Sequence, residues 1–215
     1  MKTILCYGDS LTYGANPIPG GPRHAWEDRW PNALEAKLGA GVRCIAEGLG
    51  GRTTVHDDCY ADADRNGARV LPTILSSHWP LDMVIVMLGT NDLKPFLGRT
   101  ALEAANGVRR LVQIVRAHAA VEQEPLPRMI VVAPPPLCET NHPEMLLHFG
   151  EQAAIDESKL FAKWYKLRAA EEGVAFFDAG TVASADPADG VHLDAANTRA
   201  IGEGLAPLVR ELLKL

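Results

Sequence analysis

Five short apolar runs punctuate the chain, at residues 3–7, 42–46, 83–88, 129–133 and 174–177, and each is continuous rather than alternating. Strands that are apolar on both faces are strands covered on both faces, as in a parallel sheet sandwiched between helices. The gaps between the runs hold longer segments, 31–38, 70–77, 102–118, 151–171 and 195–213, in which apolar residues recur every three or four positions. In the third of these, Leu102, Val108, Leu111, Val112 and Val115 make one stripe while Glu103, Arg109, Arg110 and Arg116 fall mostly elsewhere, which predicts a surface helix packed on the sheet. Strand and helix alternate throughout, so the pattern predicts an α/β fold built from βαβ units. Two stretches fit neither period, the Gly- and Pro-rich 16–29 and the Asp- and Ala-rich 57–67. Long loops in a compact domain are commonly functional, so both are expected near a binding site or an oligomer contact.

At 215 residues the chain is expected to form one domain, spanning 1–215. The composition, 47% hydrophobic and 22% charged, is that of a soluble globular protein. A net charge of −6 disfavours phosphate backbones and anionic membranes, so neither nucleic acid nor membrane is an expected partner. Cys6, Cys44, Cys59 and Cys138 are too dispersed to suggest a zinc site or a disulfide framework, and Cys6 and Cys44, inside apolar runs, are expected to be buried thiols. Gly8 and Asp9 interrupt the apolar N-terminal stretch before signal-peptide length, and no run nears the ~20 residues that span a bilayer. The expected compartment is the cytoplasm.

Open α/β sheets bind ligands beyond the carboxyl ends of their strands. Four such loops are unusual: Gly8-Asp9-Ser10-Leu11 after the first run, Gly48-Leu49-Gly50-Gly51-Arg52-Thr53 after the second, Gly89-Thr90-Asn91-Asp92 after the third, and Asp189-Gly190-Val191-His192 after the fifth. A serine on a tight turn at a sheet edge is where a nucleophile belongs, and it needs an imidazole to take its proton. His192 can supply that imidazole, and Asp189, three residues earlier, can fix its tautomer. The Ser10 and Gly51 backbone N–H groups and the Asn91 amide can donate to a developing oxyanion; at position 51 the missing Cβ permits close approach. Singly, each signature has a plainer reading, since serine caps helices and Asn and Asp form turns. Together, at the ends of four different strands and in complementary roles, they point to acyl transfer.

These blocks resemble those of the SGNH, or GDSL, hydrolases, in order and over nearly the whole chain. The resemblance implies a flavodoxin-like three-layer sandwich with a five-stranded parallel sheet in the order 2-1-3-4-5 and helices on both faces. It implies Ser10 as nucleophile, His192 as general base and then acid, Asp189 as its orienting partner, an oxyanion hole of Ser10, Gly51 and Asn91, and no cofactor or metal. Further similarity to the bacterial arylesterase and acyltransferase branch, which includes perhydrolases, runs through residues 4–12, 47–49, 52–54, 87–92, 134–137 and 176–180. That branch implies a small ester as substrate, acyl transfer to alcohols or hydrogen peroxide beside hydrolysis, and a homo-oligomer. By loop position, Leu11, Thr53, Thr54, Pro136, Leu137 and Val191 are the expected pocket residues. Lipase, thioesterase and carbohydrate or xylan-type deacetylase activities stay open, because fold and catalytic groups do not set substrate. A competing reading is a metal-dependent phosphohydrolase, for which Asp9, His56, Asp57, Asp58, Asn91, Asp92, Asp189 and His192 offer ligands, but it leaves Ser10 without work. A nucleotide-binding module is weaker, because the glycines around Leu49 fit no phosphate-loop spacing.

Overall fold

The computed structural model describes residues 1–18, 20–98, 100–150 and 152–215, with Leu146 described by its backbone. The five apolar runs form β1 (Lys2–Gly8), β2 (Val42–Gly48), β3 (Met83–Met87), β4 (Arg128–Ala133) and β5 (Ala175–Asp178). They lie parallel in the order β2-β1-β3-β4-β5, the order the sequence resemblance implied. Gly8 at the end of β1 is level with Gly48 of β2 and Met87 of β3, so the loops that follow these strands emerge side by side.

Between the strands run α1 (Ser10–Tyr13), α2 (Trp30–Leu38), α3 (Gly67–His78), α4 (Ala101–Glu122), α5 (Pro143–Phe149), α6 (Gln152–Ser158), α7 (Phe161–Glu171) and α8 (Ala195–Leu213). Successive strand residues point to opposite faces, and each face has its own core. Leu5, Tyr7, Val84, Val86 and Val131 meet α3, α4 and α7 through residues such as Leu75, Leu111 and Tyr165. Ile4, Cys6, Ile85, Met87 and Val132 meet α2 and α8 through Trp30, Leu34, Ile201 and Leu205. Each fully buried Leu, Ile or Phe contributes about 1.5–3 kcal/mol over its exposed state, so the two faces together hold the sheet from both sides.

The structure departs from the sequence pattern where tertiary contacts intervene. The expected helix 151–171 is two helices, α6 and α7, parted around Lys159. The Ser158 hydroxyl donates back to the Ile155 carbonyl at 2.7 Å and accepts the Leu137 N–H at 2.9 Å, which commits this turn to the loop after β4. Helix α3 begins at Gly67 rather than residue 70, because the Asn66 side chain caps it by accepting from the Arg69 N–H. Helix α5 occupies a stretch in which the apolar pattern predicts no element. Cys6 is buried as expected, whereas Cys44 is half-buried because β2 is an edge strand. No helix among the described residues is long and apolar enough to cross a membrane.

Candidate active site

The loop after β1 turns at once into α1. Asp9 caps that turn, its Oδ1 accepting the Leu11 N–H at 2.9 Å, and Ser10 is the first helical residue. The turn lies directly on β2: a Cβ placed on Gly48 would stand 2.2 Å from the Tyr13 backbone nitrogen. Only glycine allows α1 to pack this closely. Arg52, almost fully buried, locks the ends of β1 and β2 together by donating from Nη1 to the Gly8 carbonyl at 2.8 Å and the Glu47 carbonyl at 2.5 Å. Its guanidinium lies 4.2 Å over the Tyr7 ring.

From the other end of the chain, the turn before α8 brings His192 to Ser10, with His192 Nε2 and Ser10 Oγ 2.9 Å apart. Asp189 divides its oxygens between two tasks. Oδ1 accepts the Val191 and His192 backbone N–H groups at 2.9 and 2.8 Å, which shapes the turn, and Oδ2 faces His192 Nδ1 at 2.5 Å. Burial alone would raise the Asp189 carboxyl; the His192 contact and the two backbone donors outweigh it and hold the group below its ordinary range. The three residues thus form one unbroken hydrogen-bonded relay.

Three candidate donors stand on the loops that leave β1, β2 and β3 side by side. Among the described residues the Ser10 and Gly51 N–H groups have no hydrogen-bond partner, the former being an orphan donor of a helical first turn. Gly51 sits at φ +80°, a conformation that favours glycine. The Asn91 Nδ2 donates to the Arg52 carbonyl at 3.2 Å and, at 3.4 Å, to Asp9 Oδ2.

Behind Asn91 lies a polar layer that sequence reasoning missed. The Thr54 N–H and hydroxyl both donate to Asp92, at 3.0 and 2.5 Å. Burial pushes the Asp92 carboxyl up to about 7, against the Thr54 donors and with help from the Asp9 charge. Burial likewise lifts Asp9 to about 6. A folded-state value above the ordinary 3.8 means that folding favours the protonated acid. The stability Asp92 contributes is therefore complete below about pH 4 and is lost as pH rises through about 7. Asp92→Asn cannot ionise, so the decline of Tm between about pH 5 and pH 8 is expected to be shallower than in wild type. Equal slopes would contradict this.

The expected pocket residues separate into two groups. Leu137 and Val191 line a small apolar cavity against the Asp189–Gly190 turn, with Met145, Phe149 and Ile155. Leu11 instead packs into the α2–α8 core, and Thr53 and Thr54 are fully buried, their hydroxyls spent on the His56 carbonyl and Asp92. Pro136 packs over Gly180. Of the two long loops, the first lines a cleft of about 420 Å³ that opens on Asp189 and His192. The second brings Arg65 against Gly51 and pairs its Asp58 with Lys94, which follows β3, at 3.1 Å. Among the described residues no group of three or more His, Cys, Asp or Glu side chains is placed to hold a metal ion.

The profile of the GDSL-like lipase/acylhydrolase family matches residues 6–200. Among solved structures, a carbohydrate acetylesterase family member from Sinorhizobium meliloti is 52% identical over the full length of both chains, with a TM-score of 0.95. The aryl esterase of M. smegmatis is 43% identical over 99% of this chain and 100% of its own, with a TM-score of 0.92. A second carbohydrate acetylesterase from Sinorhizobium meliloti is 42% identical with the same coverage and a TM-score of 0.92. The comparison with curated proteins returns no match. Sheet order and relatives together define an α/β ester hydrolase of the SGNH type. The chain belongs to the GDSL-like lipase/acylhydrolase family.

Proposed function

We propose that the protein is a serine esterase that hydrolyses short-chain and aryl esters through an acyl-enzyme on Ser10. The observation that carries this reading is the Ser10–His192–Asp189 relay, with contacts of 2.9 and 2.5 Å. As Ser10 Oγ attacks the ester carbonyl carbon, its proton passes to His192 Nε2, and the imidazolium is stabilised by Asp189. The oxyanion receives the Ser10 and Gly51 N–H groups, donors fixed before the charge develops, and the Asn91 amide as it gives up its long 3.4 Å bond to Asp9. Collapse breaks the carbon–oxygen bond to the alcohol, which leaves with the proton from His192. Water then repeats the sequence on the acyl-enzyme and releases the acid. An alcohol or hydrogen peroxide in place of water yields a new ester or a peracid; the likeness of the sequence blocks to the acyltransferase branch supports this second outcome.

The test is turnover of p-nitrophenyl esters from acetate to octanoate, with and without added alcohol, followed by analysis of both products. Hydrolysis is expected to be fastest at the short end of the series, and a fluorophosphonate is expected to block it by modifying Ser10 alone. Activity that resists the fluorophosphonate and disappears with a chelator would overturn the serine reading in favour of a metal. Free acid as the sole acyl product in the alcohol mixture would overturn acyl transfer.

A further inference from the structure

The Asp9 carboxyl reaches two loops at once. Its Oδ1 accepts the Leu11 N–H at 2.9 Å and so sets the turn that carries Ser10, while its Oδ2 accepts from Asn91 Nδ2 at 3.4 Å. Asp9 and Asn91 are both buried. For the first task an asparagine would serve as well, because one side-chain oxygen is enough to cap a helix. A neutral cap would also escape the penalty of burying a carboxylate. What asparagine lacks is a second acceptor, since an ionised carboxyl accepts at both oxygens and a carboxamide accepts at one and donates at the other. The group that needs the second acceptor is Asn91.

To stabilise an oxyanion, Asn91 must present its nitrogen and not its oxygen. The two ends of a carboxamide have nearly the same shape, so packing does not choose between them and the hydrogen-bond partners do. Nδ2 stands between two acceptors, the Arg52 carbonyl at 3.2 Å and Asp9 Oδ2 at 3.4 Å. The first is itself fixed, because the Arg52 N–H donates to the Leu49 carbonyl at 3.0 Å and the Arg52 guanidinium ties down the ends of β1 and β2. Turning the amide over would set its oxygen against a carbonyl and a carboxylate at once. The bond to Asp9 is the longer of the two, so it orients the amide without gripping it and yields when charge develops on the substrate.

We infer that Asp9 is the positioning residue of the oxyanion hole, its second oxygen fixing which end of the Asn91 amide faces the substrate. The inference rests on the Ser10 reading and adds to it a residue that acts through Asn91. One carboxyl thereby registers the nucleophile's turn against a donor that arrives on a different strand.

The experiment is a double-mutant cycle of Asp9→Asn and Asn91→Ala, read as kcat and KM for p-nitrophenyl acetate beside a thermal melt of each variant. It is run at pH 8, where Asp9, which burial lifts to about 6, is ionised. Asn91→Ala is expected to lower kcat about 10²-fold. Asp9→Asn keeps the cap but turns a donor toward Nδ2, which divides the amide between two orientations; kcat is expected to fall about tenfold with KM within about twofold of wild type. Added to Asn91→Ala, the same substitution is expected to change kcat by less than about twofold, because the group it acts through is gone. A tenfold loss in both backgrounds would assign Asp9 to the Ser10 turn alone and overturn the inference, as would wild-type kcat in Asp9→Asn. Should Asp9→Asn not fold, Asp9→Ser, which caps through its hydroxyl and leaves Asn91 to the Arg52 carbonyl, must show the same pattern, a loss beside Asn91 and none beside Ala. Wild-type kcat in Asn91→Ala would remove the inference and leave the Ser10 reading standing, whereas wild-type turnover in Ser10→Ala would remove both.

Discussion

Ser10→Ala is expected to lower kcat for p-nitrophenyl acetate by at least about 10⁴-fold while the protein stays folded with an unchanged Tm. The size of the effect follows from the relay acting as a unit: without the hydroxyl, the imidazole has no proton to take and no acyl-enzyme can form. What remains is the residual catalysis of a donor-lined site that binds the ester and polarises its carbonyl. Stability should be spared because the hydrogen bond of Ser10 Oγ among the described residues is the one to His192 Nε2, and α1 is capped by Asp9. Steady-state rates beside a thermal melt check both halves. Turnover within tenfold of wild type would exclude Ser10 as nucleophile.

Lys94→Met carries the largest expected loss of stability. The Lys94 and Asp58 side chains are only 5% and 8% exposed and lie 3.1 Å apart, so each compensates a charge with little access to water. Removing one partner of a buried pair leaves the other charge uncompensated and costs about 3–5 kcal/mol. For a chain of this size that is a fall in Tm of about 10 °C. Lys94→Met with Asp58→Leu removes both charges and should recover much of the loss, which a purely steric role for Lys94 would not allow. Burial pushes the Asp58 carboxyl up, but the Lys94 contact prevails and holds it below its ordinary range. The pair's contribution is accordingly present above the normal carboxylate range and is lost as pH falls through the depressed value.

The parts of this molecule legible in its sequence are those written in consecutive residues. Continuous apolar runs fix the strands to within about two residues, because a strand covered on both faces has no polar side to blur it. Ser10, Gly51, Asn91, Asp189 and His192 stand out because each follows a strand in a short, unusual tetrapeptide. Arg52, Lys94 and Asp58 do not, since their work depends on partners distant along the chain that only the folded sheet brings together. Thr53 and Thr54 mislead for a related reason: they follow a strand as pocket residues do, yet the His56 carbonyl claims the hydroxyl of one and Asp92 that of the other. The split between α6 and α7 is equally silent, because no proline or glycine marks it and the Leu137 N–H that draws Ser158 away lies 21 residues earlier.

Ser10 and His192 are 182 residues apart in sequence, and the helix that follows His192, α8, packs on α2 across one face of the sheet. Closing so long a loop is among the entropically costlier contacts the chain makes, and it cannot precede the strands that carry its two ends. On the Ser10 reading, a chain in which α8 has not yet docked lacks the imidazole its serine needs and is expected to turn over no ester. In a refolding experiment the first burst of turnover would time that docking directly, with the substrate itself as the stopwatch.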